Sequence, residues 1–191
     1  TVERCEPNVD GFVINVSSPN TPNLRELQKD EDLTRIIEEV QKYSGEKPVL
    51  IKIAPDLEDM QIRSIVDTAR GLGCAGIVAT NTTIERPEES GVMLEKGGLS
   101  GSPLRSRSTQ VIRLIADHTD GQWPIIGVGG ISTADDAWEK IINGASLLQI
   151  YSAMVFQGAG VIKKIVNGLD KKMKSEGFSN LNQAIGMARR A

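Results

Sequence analysis

Residues 125–132 read IIGVGGIS. The first four carry apolar side chains or none. They run into a double glycine, and Ser132 and Thr133 follow before Ala134-Asp135-Asp136. An apolar run this short, bounded by glycine, suits a buried strand. Thr133 stands where a helix N-cap belongs, with two acids in the turn behind it. Ala134, Ala137, Trp138, Ile141 and Ile142 recur at helical spacing, and Asn143-Gly144 closes the run as a glycine C-cap does. The unit is strand, tight turn, helix.

The same unit repeats on both sides. Apolar, β-rich runs lie at 12–16 (FVINV), 49–53 (VLIKI), 74–79 (CAGIVA) and 145–150 (ASLLQI). Stretches of helical period follow at 31–43, 58–72, 106–117 and 160–175. Strand and helix alternating five times mean an α/β fold with a parallel sheet. No run alternates cleanly between apolar and polar, so both faces of the sheet are expected to be covered. A doubly wound open sheet and part of a (β/α)8 barrel both fit. A complete barrel takes about 250 residues. Five units in 191 residues would leave a barrel three strands short. The widest gap between strands holds an insertion at 84–99, expected to form a long loop or hairpin over one end of the sheet.

Composition narrows the function. Hydrophobic residues make up 39% and charged residues 25%, enough for one well-packed domain. The net charge is −3 and the basic residues are scattered, which leaves no footprint for nucleic acid. No apolar run reaches the length of a membrane span, and no signal peptide is expected in these residues. Cys5 and Cys74 stand far apart with a single His118, so no metal site is expected, and both cysteines are expected to be small buried hydrophobes.

Polar residues gather after each apolar run. Ser17, Ser18, Asn20 and Thr21 follow the first. Lys52 lies inside the second. Thr80, Asn81, Thr82 and Thr83 follow the third, Gly129 and Gly130 the fourth, and Tyr151 and Ser152 the fifth. The C-terminal ends of parallel strands are where α/β folds build their sites. The glycine turns at 97–101 (GGLSG) and 127–130 free backbone N–H groups ahead of helices, an arrangement that suits a phosphate. Lys52, flanked by apolar residues, points to a fixed cation in a low-dielectric site. His118, Trp123 and Trp138 are expected to have no catalytic role, and Lys171-Lys172 and Arg189-Arg190 to be solvated.

Taken in order, INVSSPNT (14–21), VLIKIAPD (49–56), IVATNTT (77–83), GGLSGSPLR (97–105), IIGVGGIS (125–132), ASLLQIYS (145–152) and FSNLNQAIG (178–186) resemble the dihydroorotate dehydrogenases. The resemblance runs across nearly the whole chain and keeps the family's order. It implies a TIM-type (β/α)8 barrel, of which this chain supplies about strands 4–8, and FMN as cofactor. The implied reaction is oxidation of dihydroorotate to orotate in pyrimidine synthesis. A serine, Ser18, matches the position of the catalytic base, as in the quinone-reducing, membrane-associated class 2. A ubiquinone-type acceptor is therefore implied, with residence at the inner membrane: mitochondrial in a eukaryote, on the cytoplasmic face in a bacterium.

Residue roles follow from the same resemblance. Ser18 would take the proton from C5 of dihydroorotate, and Thr21 would help relay it to water. Asn15, Asn20, Asn81 and Thr82 would hydrogen-bond the pyrimidine ring, with Asn15 also reaching the flavin. Lys52 would lie at the electron-rich side of the isoalloxazine beside Thr80. Gly101, Gly129, Gly130, Tyr151 and Ser152 would hold the ribityl phosphate; Ser152 stands where family members often have threonine. The resemblance makes residues 1–191 the C-terminal portion of one FMN-binding barrel domain. Strands 1–3, the N-terminal helical domain and its membrane association would then lie outside this sequence. Alone, such a portion is expected neither to fold stably nor to turn over. Two other readings remain: an FMN barrel dehydrogenase with a different acceptor, and an inactive barrel fragment serving as a binding or structural subunit.

Overall fold

Isoleucine and valine fit the pleated, half-buried surface of a strand, and here they build one sheet. The computed structural model describes residues 1–86 and 96–190. Its strands are β1 (Phe12–Asn15), β2 (Val49–Ile53), β3 (Gly76–Ala79), β4 (Ile125–Val128) and β5 (Leu147–Gln149). They lie in the order β1-β2-β3-β4-β5, each parallel to its neighbours. A doubly wound sheet reverses its strand order at a switch point. This sheet never reverses, so its winding is that of a barrel wall.

The helices are α1 (Val2–Cys5), α2 (Asp30–Gln41), α3 (Asp59–Gly71), α4 (Arg105–His118), α5 (Ala134–Ile142), α6 (Ser152–Gln157), α7 (Gly160–Ser175) and α8 (Met187–Arg190). Glu58 caps α3 in a reciprocal box with Gln61. Thr133 caps α5 as its sequence predicts, its hydroxyl accepting from the Asp136 N–H.

Only one face of the sheet is packed against these helices. Ile14, Val49, Ile51, Ile53, Ile77 and Ile125 are buried together with Leu33 and Ile37 of α2, Ile62 and Val66 of α3, and Val111, Ile112 and Ile115 of α4. Burying each such side chain contributes about 2 kcal/mol. The opposite face carries Val13, Leu50, Val78, Ile126 and Leu147, and Val13 and Leu147 are 45% and 62% exposed. The expectation that both faces are covered is therefore corrected. The strands lack alternation because both faces are apolar, yet on the second face the described residues cover only the centre, where Val78 is wholly buried, and leave the edge strands open. Among the described residues the outer edges of β1 and β5 are also unpaired.

Other expectations meet mixed outcomes. The flanks of the insertion pair as one antiparallel bridge, Thr83 with Leu99; the rest of the expected hairpin, at 87–95, lies outside the described residues. His118 ties α4 to α3, its Nε2 lying 2.7 Å from Asp67 and its Nδ1 accepting from Arg63 at 3.1 Å. Trp123 donates to the Cys74 carbonyl, and Trp138 stacks on Phe178. Cys74 is buried, which pushes its thiol up to about 11, but Cys5 is only half-buried. Arg189 is not solvated: it is packed against the body and pairs with Asp117 at 2.7 Å. Lys172 pairs with Asp135. Among the described residues no helix is long and apolar enough to cross a membrane.

Candidate functional site

Parallel strands place their carbonyl ends at one rim, and the loops that leave it converge. A cavity of about 390 Å³ opens there, within the ~300–1,000 Å³ common for ligand clefts. Lys52, Thr80, Asn81, Thr82, Gly101, Gly129, Gly130, Tyr151 and Ser152 line it, as the sequence predicts for one site. Leu104, Val128, Ile131, Ile150 and Ala153 supply its apolar wall. Tyr151 stands at the mouth, 75% exposed.

Lys52 rises from β2 on the open face, in register with Asn15 of β1 and Val78 of β3. It is the only charged side chain among the described residues lining the cavity, and no carboxylate among them pairs with it. Burial pushes its ammonium below the ordinary lysine range, because water is withdrawn without a counter-charge in return. An anion, or a group that becomes one, would relieve that cost.

Beside the lysine lies a neutral cluster. The Asn81 amide donates to Asn15 Oδ1 at 3.1 Å and to Ser17 Oγ at 3.0 Å, while Ser17 Oγ donates to the same Asn15 oxygen at 3.0 Å. Asn81 Oδ1 accepts from the Thr82 N–H. Asn15 keeps its own Nδ2 donor without a partner among the described residues. Ser17, wholly buried, carries no role in the sequence reading; two hydroxyls side by side gave no signal as to which one turns inward.

Asn15, Ser18, Asn20 and Thr21 do not line the cavity; Asn15 is exposed at the end of β1 and reaches it only through its bond from Asn81. Ser18 is half-buried in the loop above the cluster, its Oγ accepting from the Asn20 N–H at 3.3 Å. Asn20 and Thr21 are exposed on the rim. The 97–98 turn crosses over this loop. A Cβ at Gly98 would overlap Thr82 Oγ1 and come within 2.8 Å of Pro19, so glycine there permits the two loops to touch.

Two further residues were not found from sequence. Arg25 donates from Nε to the Ser17 carbonyl at 3.1 Å, from Nη1 to Asp56 at 2.6 Å and from Nη2 to the Thr82 carbonyl at 2.9 Å. Asp56 also accepts from the Thr83 hydroxyl and from the Ile84 N–H. One guanidinium and one carboxylate thus bind the loops after β1, β2 and β3. The signal available was the aspartate in VLIKIAPD and an arginine in a turn otherwise free of strong cues.

The opposite side of the cavity is backbone. Gly130 has φ +70°, and a Cβ there would overlap Arg105. The N–H groups of Gly130 and Ile131, both buried, donate to no acceptor among the described residues. Ser100 and Ser152 hydroxyls meet at 2.7 Å close by. Asp136 holds this turn, accepting from the Ser132 and Thr133 N–H groups at 3.0 Å and from Arg105 at 2.6 Å. Burial pushes the Asp136 carboxyl up, but these donors outweigh it and leave it below the usual carboxylate range. Orphaned N–H groups beside hydroxyls are the donor set a phosphate needs. With the cation and the apolar wall, they fit a flat, phosphorylated cofactor.

Known proteins point the same way. The family model described as dihydroorotate dehydrogenase matches residues 1–173. The chain is 52% identical over 186 residues to the dihydroorotate dehydrogenase (quinone) of Acaryochloris marina, covering 93% of this chain and 50% of that one. It is 47% identical over 191 residues to the protein of the same name from Halobacterium salinarum, covering 97% and 53%. A solved ligand-free dihydroorotate dehydrogenase from Eimeria tenella superposes with a TM-score of 0.94 at 36% identity, covering all of this chain and 59% of that one. The chain therefore spans about half the length of the curated relatives it matches. With a barrel-type parallel wall, a rim cavity and a family match over most of its residues, the chain belongs to the dihydroorotate dehydrogenase family.

Proposed function

We propose that residues 1–191 are the C-terminal portion of one FMN-binding (β/α)8 barrel domain, and that the complete domain oxidises dihydroorotate to orotate with a quinone as acceptor. The half-length match and the unpaired edges of β1 and β5 support the first part. The observation that carries the second is Lys52, half-buried and without a counter-charge among the described residues, beside the Asn15–Ser17–Asn81 cluster. Held in the cavity by the residues that line it, FMN would supply the two-electron acceptor for the C6 hydride and the link to the quinone.

The chain's own residues do the rest. Gly129, Gly130, Gly101, Tyr151 and Ser152 hold the phosphate end, and Lys52 and Thr80 stand at the end that gains negative charge. Asn15, Asn20, Asn81 and Thr82 read a neutral ring, since an amide both donates and accepts. Ser18 removes the C5 proton. A serine is a weak base and needs an outlet, and exposed Thr21 offers one to water. A quinone acceptor dissolves in lipid, so an inner-membrane association, supplied by sequence outside residues 1–191, belongs to the same proposal.

The test uses the complete protein. Ser18→Ala should keep its FMN yet lose dihydroorotate-dependent reduction of a ubiquinone analogue at pH 7 by about 10²- to 10⁴-fold. Unchanged turnover would remove Ser18 as the base. Offering fumarate and NAD in place of the quinone checks the acceptor; faster turnover with either would overturn the quinone assignment.

A further inference from the structure

We propose that Arg25 and Asp56 are positioning residues that set Ser18 against the substrate-reading residues Asn81 and Thr82. The inference rests on the function proposed above. The Arg25 acceptors are the two carbonyls on which the alignment depends. The Ser17 carbonyl shares its peptide plane with the Ser18 nitrogen, so anchoring it fixes where the Ser18 backbone stands. The Thr82 carbonyl belongs to a residue lining the cavity. Both are held by one rigid guanidinium, so the distance between the two loops is the span of a planar fork. Asp56 locks that fork from the loop after β2, and its remaining bonds hold Thr83 and Ile84. The pair is mostly shielded, with 21% and 12% of the side chains exposed. It therefore differs from a solvated surface pair with two free partners. A lysine cannot reach three acceptors in one plane, so charge alone does not replace Arg25.

The test separates the two half-reactions of the complete, FMN-loaded protein. Misplacing a reacting group by about 1 Å costs on the order of 100-fold. Arg25→Ala should slow flavin bleaching by dihydroorotate by about that much, with FMN content and reoxidation by a ubiquinone analogue unchanged. Arg25→Lys should recover only part of the rate. Arg25→Lys with Asp56→Asn should be no slower than the slower single variant, because the two act as one unit. Amide hydrogen exchange should rise across residues 17–24 and 82–86 in Arg25→Lys and stay unchanged in β2 and β4. If Arg25→Ala fails to fold, Arg25→Lys and Asp56→Asn carry the same test. Flavin bleaching at the parent rate, or bleaching and reoxidation falling together, would overturn the proposal. Ser18→Ala run alongside separates the two ideas. Unchanged bleaching in that variant removes the base itself, whereas slow bleaching there with normal bleaching in the Arg25 variants removes only the positioning role.

Discussion

The two halves of the rim are built from different material. After β1, β2 and β3 the site is built from side chains: Lys52, Asn81 and Thr82 line it, with Asn15 and Ser17 bonded behind Asn81. After β4 and β5 its polar groups are backbone N–H groups and the hydroxyls of Tyr151 and Ser152, with glycines where a Cβ would strike α4. The first half can fail through chemistry, when a functional group is replaced. The second fails through shape, when an atom is added. The network behind the second half supports this contrast. Arg105 packs under Gly130 and pairs with Asp136, and the buried Lys140 donates to the Arg105 carbonyl at 2.7 Å and to Thr109 at 2.6 Å.

The contrast would break most visibly at Gly130. Alanine there must accept φ +70° and overlap Arg105, a cost on the order of 3 kcal/mol. Gly130→Ala in the complete protein should bind FMN about 100-fold more weakly, read as flavin fluorescence released on dilution. Retained FMN would mean that shape does not govern this half. Next is Lys140, wholly buried, whose ammonium burial lowers to about 8 from 10.5. The folded chain gives up this proton before the unfolded chain does. Stability from this group therefore rises with pH between about 8 and 10.5 and is flat below. Lys140→Met removes that slope, about 1 kcal/mol per pH unit, from denaturant melts compared across the window. Parallel curves for the two proteins would contradict a buried, titrating lysine. The smallest effect belongs to Asp136→Asn. It should cost about 1 kcal/mol at pH 7, because the turn loses a charged acceptor. A carboxyl held below its usual range contributes above its unfolded pKa, and that contribution fades as the carboxyl protonates. The difference between the two proteins should shrink as pH falls below 3.8. A difference that persists at acid pH would assign the effect to packing.

Much of this was legible in sequence wherever one residue type in one place carries a cost. β4 and α7 have the bounds that apolar period predicts. Lys52 stood out because an ammonium in an apolar run is expensive. The β5 run at 145–150 forms a strand only over Leu147–Gln149, since this edge has a partner on one side alone. The open face was illegible, because an apolar pattern records that a surface must be covered and not what covers it. Arg25 was illegible for a different reason. Arginine in a polar turn is ordinary, and its three acceptors come from loops far apart in the chain. Only their convergence gives it meaning.

Lys52 has one consequence that concerns voltage. In the proposed function the cavity holds a cofactor that exists in two oxidation states, and the Lys52 ammonium favours the more negative one. Every tenfold preference for the reduced form raises a two-electron midpoint potential by about 30 mV. A carboxylate placed beside Lys52 would lower that potential again. In that proposal one charge on β2, without a counter-charge among the described residues, sets part of the driving force.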